Sequence, residues 1–307
     1  VIRRFHHTDF LPLQHILKAK RRRNLSVSLV IPARNEAATI ATIVGVCRQE
    51  LICRIPLLDE VVVMDGGSSD STADRARAAG ARVYPCDEVA IEFPAPIGKG
   101  AALWKSLFVT TGRIIVCIDA DITNFDARFV YGLVAPLILQ TDIELVKAAY
   151  QRHLVLDGVC HDNHGGRVTE LLVRPAFSAF YPELATISQP LAGEYAFNRS
   201  IIEQCSFFSG YGVEVGILLD ILCRCGVHSI AEVDMDTRLH RNRPLAELGR
   251  MSFGILQALL CRMQEEKKAV FAAPPAASLP VADGNGWKMM DTVDTVLPPV
   301  ADCKGGG

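Results

Sequence analysis

Asp119-Ala120-Asp121 closes the apolar run Ile114-Ile115-Val116-Cys117-Ile118. In an extended chain residues i and i+2 point the same way, so both carboxylates can face one site. Hard divalent cations prefer oxygen ligands, and two acids leaving a buried strand are suited to holding such a cation against a diphosphate. Polar residues recur where other strands should end: Pro32-Ala33-Arg34-Asn35-Glu36 follows the run at 27–31, and Asp65-Gly66-Gly67-Ser68 follows the run at 60–64. Helix capping could explain one such group, but it gives no reason for acids to recur at successive crossings. Asp65 and Asp119 can accept hydrogen bonds from a base and a ribose, whereas a diphosphate needs cations and backbone N–H groups.

Gly98-Lys99-Gly100 supplies a flexible cation beside a helix start. It lacks the longer glycine spacing and the Lys-Ser/Thr pair of a P-loop, which disfavours ATP hydrolysis of that type. Gly165-Gly166-Arg167-Val168-Thr169-Glu170 opens a helix with glycines, a guanidinium and a hydroxyl, a combination suited to phosphate or carboxylate. Arg238-Leu239-His240-Arg241-Asn242-Arg243 is a second basic cluster. Within it His240 could complete a coordination begun by Asp121; taken alone it also reads as a surface or core histidine.

The elements that must position these residues form an α/β pattern. From Ser26 to about Tyr150, short β-rich runs alternate with helical patterns, as in successive βαβ units of a mostly parallel sheet. Strands are expected at 27–31, 60–65, 82–85 and 114–118, with helices ending near Arg48 and Gly80 and another from the Gly98 turn through Phe108. Ser69 or Asp70 can cap the second of these helices. In such sheets ligands collect beyond the carboxyl ends of the strands. The second half predicts a helix over 167–180, an extended segment at 190–197, a helix over 213–225, a strand at 229–233 and a last helix over 245–267. Four regions follow: a basic N-terminal arm or helix (1–25), a nucleotide-binding half (26–150), an acceptor-binding half of the same domain (151–267) and a mobile or loosely docked tail rich in Pro, Ala and Gly (268–307).

With 307 residues, half of them apolar, a large core is assured without staples. The ten cysteines are scattered, and the closest pair, Cys223 and Cys225, lacks the spacing of a redox or zinc knuckle. Reduced thiols in a cytoplasmic protein are expected. No apolar stretch reaches the roughly 18 residues of a membrane span, and the N-terminus shows no apolar signal core. The net charge of -2 gives no sign of general nucleic-acid binding. The basic run at 18–23 reads as a solvated helix end, with membrane-surface contact or oligomer packing as alternatives.

On these residues the chain resembles a GT-A-fold glycosyltransferase, and specifically the retaining glucosyl-3-phosphoglycerate and mannosyl-3-phosphoglycerate synthases. The resemblance runs from about Ser26 to Arg262 and is carried by the motifs above together with Pro96-Ile97-Gly98-Lys99-Gly100, Gly193-Glu194-Tyr195, Gly210-Tyr211-Gly212-Val213-Glu214 and Pro244. It implies a Rossmann-like mixed sheet flanked by helices. Pro32, Ala33, Asn35, Glu36, Asp65, Gly67, Asp119 and Ala120 would line the nucleotide, with Lys99 at the phosphates and Tyr211 and Glu214 beside the sugar. Asp121 and His240 would ligate Mg2+ or Mn2+, and Gly166, Arg167, Thr169, Arg238 and Asn242 would hold 3-phosphoglycerate. The catalytic set implied is Asp121, Glu214, Lys99 and His240, acting on a UDP-glucose or GDP-mannose donor in a homodimer. Gly67 stands where a serine is common in the glucosyl enzymes, and Arg34 replaces a residue that is often apolar; His161-Asp162-Asn163-His164 is also unusual. Donor choice therefore stays open. A sugar-phosphate nucleotidyltransferase is disfavoured because its glycine- and arginine-rich signature is missing after the first run. A nucleotide-sugar-binding protein without turnover remains the non-enzymatic alternative.

Overall fold

The computed structural model describes residues 1–93, 98–151, 154–156, 159–161, 166–239, 245–284, 286–291 and 294–304. Strands β1 (Arg3–His6), β2 (Val27–Ala33), β3 (Glu60–Asp65), β4 (Arg82–Pro85), β5 (Ile114–Cys117) and β6 (Leu145–Gln151) are followed by the hairpin β7 (Leu154–Leu156) and β8 (Val159–His161). Then come β9 (Tyr195–Asn198), β10 (Phe207–Phe208), β11 (Ile230–Thr237), a second hairpin β12 (Ser278–Asp283) and β13 (Gly286–Asp291), and β14 (Val296–Leu297). The main sheet has eight strands in the order β1-β11-β6-β9-β5-β2-β3-β4. Every pairing in it is parallel except those of β9, which runs antiparallel to both β5 and β6.

Strict alternation along the central strands divides the interior into two cores. Leu29, Ile31, Val61, Val63, Ile114 and Val116 face one side, while Val30, Val62, Met64, Ile115 and Cys117 face the other. Strands covered on both faces are apolar throughout, which is why the sequence shows continuous β-branched runs rather than polar alternation. Helix Arg128–Leu139 covers the first face; helices Lys99–Val109, Val213–Cys225 and Leu245–Glu265 cover the second.

The expected strands at 60–65 and 82–85 and the helix at 213–225 match the observed bounds. Several expectations are corrected. The N-terminal arm contributes an edge strand, β1, so Val27–Ala33 is the second strand of the chain. The basic run is solvated only in part: Lys18, Arg21 and Arg22 are exposed, but Lys20 is buried with its Nζ 2.6 Å from Asp59, and Arg23 donates to the carbonyls of Leu137 (3.1 Å) and Ile138 (2.6 Å). Those carbonyls close helix Arg128–Leu139 and have no partner within it, so the guanidinium caps them. The helix expected over 167–180 is wound in its middle as a π-helix, Thr169–Val173, before continuing as Arg174–Phe180. Pro175 has no N–H for an i−4 bond, and the widened turn lies just ahead of it.

Residues 294–304 are also not loose. β14 pairs antiparallel with β10, Leu297 and Val300 are buried, and the Trp104 indole donates to the Pro298 carbonyl at 2.7 Å. At the end of this segment Lys304 meets Glu203 at 2.8 Å. Isolated apolar residues in a Pro-rich segment carry no period, which hid this docking from the sequence. Truncating a buried leucine removes its transfer energy and leaves a cavity. Leu297→Ala is expected to lower the unfolding free energy by about 2–5 kcal/mol in urea denaturation; a change within about 0.5 kcal/mol, the usual effect of an exposed substitution, would show the segment to be undocked.

Candidate active site

Because β2, β3, β5, β6 and β11 share one direction, their carboxyl ends share one edge of the sheet. Antiparallel β9 enters at that same edge, so the residue before it, Glu194, lies there too. Six charged side chains converge. Arg238, just past β11, places its guanidinium 2.9 Å from Glu194, 2.9 Å from Asp121 and 3.3 Å from Asp119. Lys99, the first residue of its helix, bridges Asp119 at 2.7 Å and Glu214 at 2.8 Å. Tyr150 donates its hydroxyl to the other Glu194 oxygen at 2.8 Å.

Burial makes this pairing obligatory: Glu194 is fully buried and Arg238 is 3% exposed. An unpaired charge in such a place costs several kcal/mol. Burial disfavours the Arg238 cation, but Glu194 above all, then Tyr150, Asp119 and Asp121, outweigh it and raise its pKa. Burial likewise opposes the Lys99 ammonium, and Asp119 and Glu214 reverse that effect and push its pKa up. Neighbouring Lys147 goes the other way, down to about 8, because burial dominates. Its Nζ donates to the Ala192 carbonyl at 2.6 Å and sits over the Tyr195 ring.

Small residues let these groups meet. A Cβ at Gly193 would collide with the Asp119 carboxylate, and one at Gly98 or Gly100 would collide with the carbonyls of Ser209 or Phe208. The Gly210-Tyr211-Gly212 loop, which leads into the helix carrying Glu214, is held from the C-terminal segment: Gly212 N–H donates to Asp294 at 2.9 Å. Burial pushes the Asp294 carboxyl up, against the opposing pull of the Gly212 and Gly210 amides. Ser209 and Thr295 exchange two further bonds, at 2.9 and 3.0 Å. Asp294 is therefore part of the site's framework, and no sequence spacing pointed to it.

At the ends of β2 and β3, Ala33 and Pro32 lie opposite Asp65 and Met64. Asn35 takes a left-handed φ of 58°, a region that asparagine tolerates. From there its amide donates to Ser68 Oγ at 3.0 Å and its Oδ1 accepts from Ser69 N–H at 2.8 Å. Glu36 N–H donates to Thr72 Oγ1 at 2.8 Å, and Asp65 accepts from the Ser68 hydroxyl at 2.5 Å. The loops after β2 and β3 are thus laced into one wall. Asp70, one of the two expected caps, accepts from Thr72 N–H and from Ala37 N–H. Gly67 has φ +79°, a left-handed region that glycine adopts freely. Ala120 is buried and its carbonyl accepts from Thr39 Oγ1 at 2.5 Å. Tyr211 is partly exposed beside the glycines.

Across the site Gly166, at φ +78°, faces Thr169 Oγ1 and Gln189 Oε1; a Cβ on it would lie 3.9 Å from each. Both oxygens are buried, and among the described residues neither has a hydrogen-bond partner. Buried polar atoms are rarely left so, and two on one glycine-lined surface mark a place for a ligand or ordered water. Gln189 is a second residue that sequence reasoning missed. Arg167 is half-buried at the start of the same helix. Arg238, expected near the acceptor, lies in the carboxylate cluster. His240, Asn242 and the segment 162–165 lie outside the described residues. Leu239, the neighbour of His240, is held against the D-x-D loop: its carbonyl accepts from Thr123 N–H at 3.2 Å and its N–H donates to Asn124 at 2.8 Å.

The arrangement offers hard oxygen donors at Asp119 and Asp121 beside fixed cations, which fits a divalent ion and a diphosphate. Comparison with known proteins agrees. Residues 28–152 match the glycosyl transferase family 2 model. The chain is 44% identical over 266 residues to glucosyl-3-phosphoglycerate synthase of Petrotoga mobilis, covering 87% of this chain and 82% of that protein. The crystal structure of the Mycobacterium tuberculosis glucosyl-3-phosphoglycerate synthase in complex with Mn2+, UDP-glucose and phosphoglyceric acid superposes with a TM-score of 0.85 at 37% identity, covering 98% of this chain and 99% of that one. Mannosyl-3-phosphoglycerate synthase from Rubrobacter xylanophilus superposes with a TM-score of 0.88 at 34% identity, covering 98% and 97%. The sheet that gathers Asp119, Asp121, Glu194 and Arg238 is the GT-A sheet of these enzymes, and the chain belongs to the glucosyl-3-phosphoglycerate synthase family.

Proposed function

We propose that this protein transfers glucose from UDP-glucose to the 2-hydroxyl of 3-phosphoglycerate with retention at the anomeric carbon. The observation that carries the reading is the cluster at the strand ends, two carboxylates of a D-x-D loop fixed by Arg238 and Lys99, in a chain 44% identical to glucosyl-3-phosphoglycerate synthase. In the reaction the bond from the sugar anomeric carbon to the diphosphate breaks and a bond to the acceptor oxygen forms. The hydroxyl proton passes to the departing phosphate oxygen. Negative charge grows on the nucleotide, and fixed cations aimed there lower the barrier.

Asp121, with His240, would hold Mg2+ or Mn2+, which supplies positive charge at the leaving diphosphate. Lys99 adds a cation whose position is set by Asp119 and Glu214. The wall from Asn35 to Ser69 receives the nucleoside. Gly166, Arg167 and Thr169 receive the phosphate or carboxylate of the acceptor, with Asn242 and the charge of Arg238 nearby. Gln189 adds a buried acceptor for a hydroxyl. Glu214 is buried and its Oε1 is tied to Lys99, so it suits orienting sugar hydroxyls and opposing oxocarbenium charge better than attacking carbon. Same-face attack is the route this favours.

GDP-mannose is the second donor reading, because the solved mannosyl-3-phosphoglycerate synthase superposes as closely as the glucosyl enzyme. A cytoplasmic homodimer, the expectation that the family resemblance brings, accompanies the proposal.

Incubation with 3-phosphoglycerate and each of UDP-glucose, GDP-mannose and ADP-glucose, with Mg2+ or with a chelator, tests the reading. Nucleotide diphosphate release is expected to require acceptor, to be fastest with UDP-glucose, to stop on chelation and to give a product of retained configuration. Asp121→Asn is expected to lower turnover about a hundred- to a thousand-fold, the usual effect of losing one transition-state charge contact. Unmodified acceptor in every arm would leave a nucleotide-sugar-binding protein. Glu214→Gln separates the two routes: turnover should fall with no sugar attached to the protein by intact-mass measurement, and a glycosylated residue at position 214 or elsewhere would establish double displacement.

A further inference from the structure

On the edge of the sheet occupied by β1, a second constellation stands apart from the carboxylate cluster. β1 pairs with β11 in register through His6 opposite Asp234, and the register of β11 against β6 then shifts between Asp234 and Thr237. Asp236 lies in that irregularity at φ +62°. Bulges commonly re-aim a side chain, and here the carboxylate is turned onto β1. Its Oδ1 is 3.1 Å from His6 Nε2 and its Oδ2 is 2.7 Å from His7 Nε2. Among the described residues this is the one group of three or more His, Cys, Asp or Glu side chains whose ligand atoms lie within 4.8 Å of one another.

The other ring nitrogens are accounted for. His6 Nδ1 lies 2.7 Å from Thr8 Oγ1 and 3.4 Å from the Thr8 backbone N–H, and His7 Nδ1 lies 3.0 Å from the Tyr131 hydroxyl. In the structure each Nε2–H donates to Asp236; a bound ion would displace those two protons and take the Nε2 lone pairs, with an Nδ1–H of each ring donated to its neighbouring hydroxyl oxygen. Metal-binding histidines are held in this way, by a hydrogen bond on the nitrogen that does not ligate. A tetrahedral ion with bonds of about 2.0–2.1 Å sets its ligand atoms roughly 3.3 Å apart, so a small rearrangement of the nitrogen–oxygen pairs now at 3.1 and 2.7 Å would admit one. His7 is buried, while His6 and Asp236 are partly open, which leaves room for water on the remaining position.

We infer that His6, His7 and Asp236 form a binding site for a transition-metal ion of the Zn2+ class, separate from the nucleotide site. Two imidazoles and one carboxylate favour such an ion over Mg2+. Bound there, it would tie edge strand β1 to the end of β11, two residues before Arg238.

Equilibrium dialysis of the full chain, purified without a polyhistidine tag and kept reduced with a non-thiol reagent, tests this. Zn2+ is the probe, with excess Mg2+ and UDP present to occupy the nucleotide site. The wild type is expected to bind one tight equivalent of Zn2+. His6→Gln and Asp236→Asn are each expected to weaken that equivalent by about tenfold or more, the lower bound set by what loss of a mere supporting hydrogen bond costs. Asparagine tolerates the left-handed backbone at 236. X-ray absorption on the zinc-loaded wild type gives a readout that needs no variant: a nitrogen and oxygen shell near 2.0–2.1 Å with imidazole scattering is expected. No tight Zn2+ in the wild type, undiminished binding in folded variants, or a shell dominated by sulfur near 2.3 Å would each overturn the assignment.

Discussion

The contact of one guanidinium with three carboxylates at the end of the sheet is the constraint around which the molecule is organised. Arg238 reaches Glu194, Asp121 and Asp119 from a position almost closed to solvent. Acids at that density repel one another, and burying them without a partner would cost more than any local packing could return. An arginine suits the place because its planar fork serves several acceptors and cannot shed its proton. The antiparallel insertion of β9 between β5 and β6 brings Glu194 to the edge where the parallel strands end. Topology and electrostatics are therefore two aspects of one arrangement.

A second cation, Lys99, links this cluster to the helix that bears Glu214. The approach depends on glycine at 98, 100 and 193, where a methyl group would strike backbone carbonyls or Asp119. From the far end of the chain, Asp294 clasps the loop at 210–212, and the indole of Trp104 holds the carbonyl of Pro298. Trp104 lies on the helix that Lys99 begins. The C-terminal segment, the lysine helix and the glutamate helix are in this way fastened to one another behind the site.

Much of this was legible in the sequence because it is local. Continuous apolar runs ending in acids gave β3, β5 and the D-x-D loop, and the loop at 98–100 announced a helix with a lysine at its start. What escaped was set by contacts between distant residues. Asp294 meets Gly212 across a long stretch of chain and Gln189 comes to face Gly166 only in the fold, and nothing near either in sequence signals a polar role. β1 is four residues long and has no alternation, so only its pairing with β11 defines it. The π-helical turn after Val168 follows from Pro175 and from packing rather than from any helix-stop signal. Arg238 was noticed as a basic residue, but its burial among acids follows only from the strand order. The resemblance to the synthase family pointed to the loops at these strand ends, while the framework that steadies them had to come from coordinates.

Denaturant unfolding of Arg238→Gln, Glu194→Gln and the double variant measures the central interaction most directly. Breaking a buried ion pair from one side typically costs about 3–5 kcal/mol, because the remaining charge is stranded. The account predicts a loss of that order for Arg238→Gln and a double variant markedly more stable than the sum of the two single losses, a non-additivity that marks a shared contact. Strictly additive losses, or an Arg238→Gln protein as stable as the wild type, would show that the guanidinium does not organise the carboxylates.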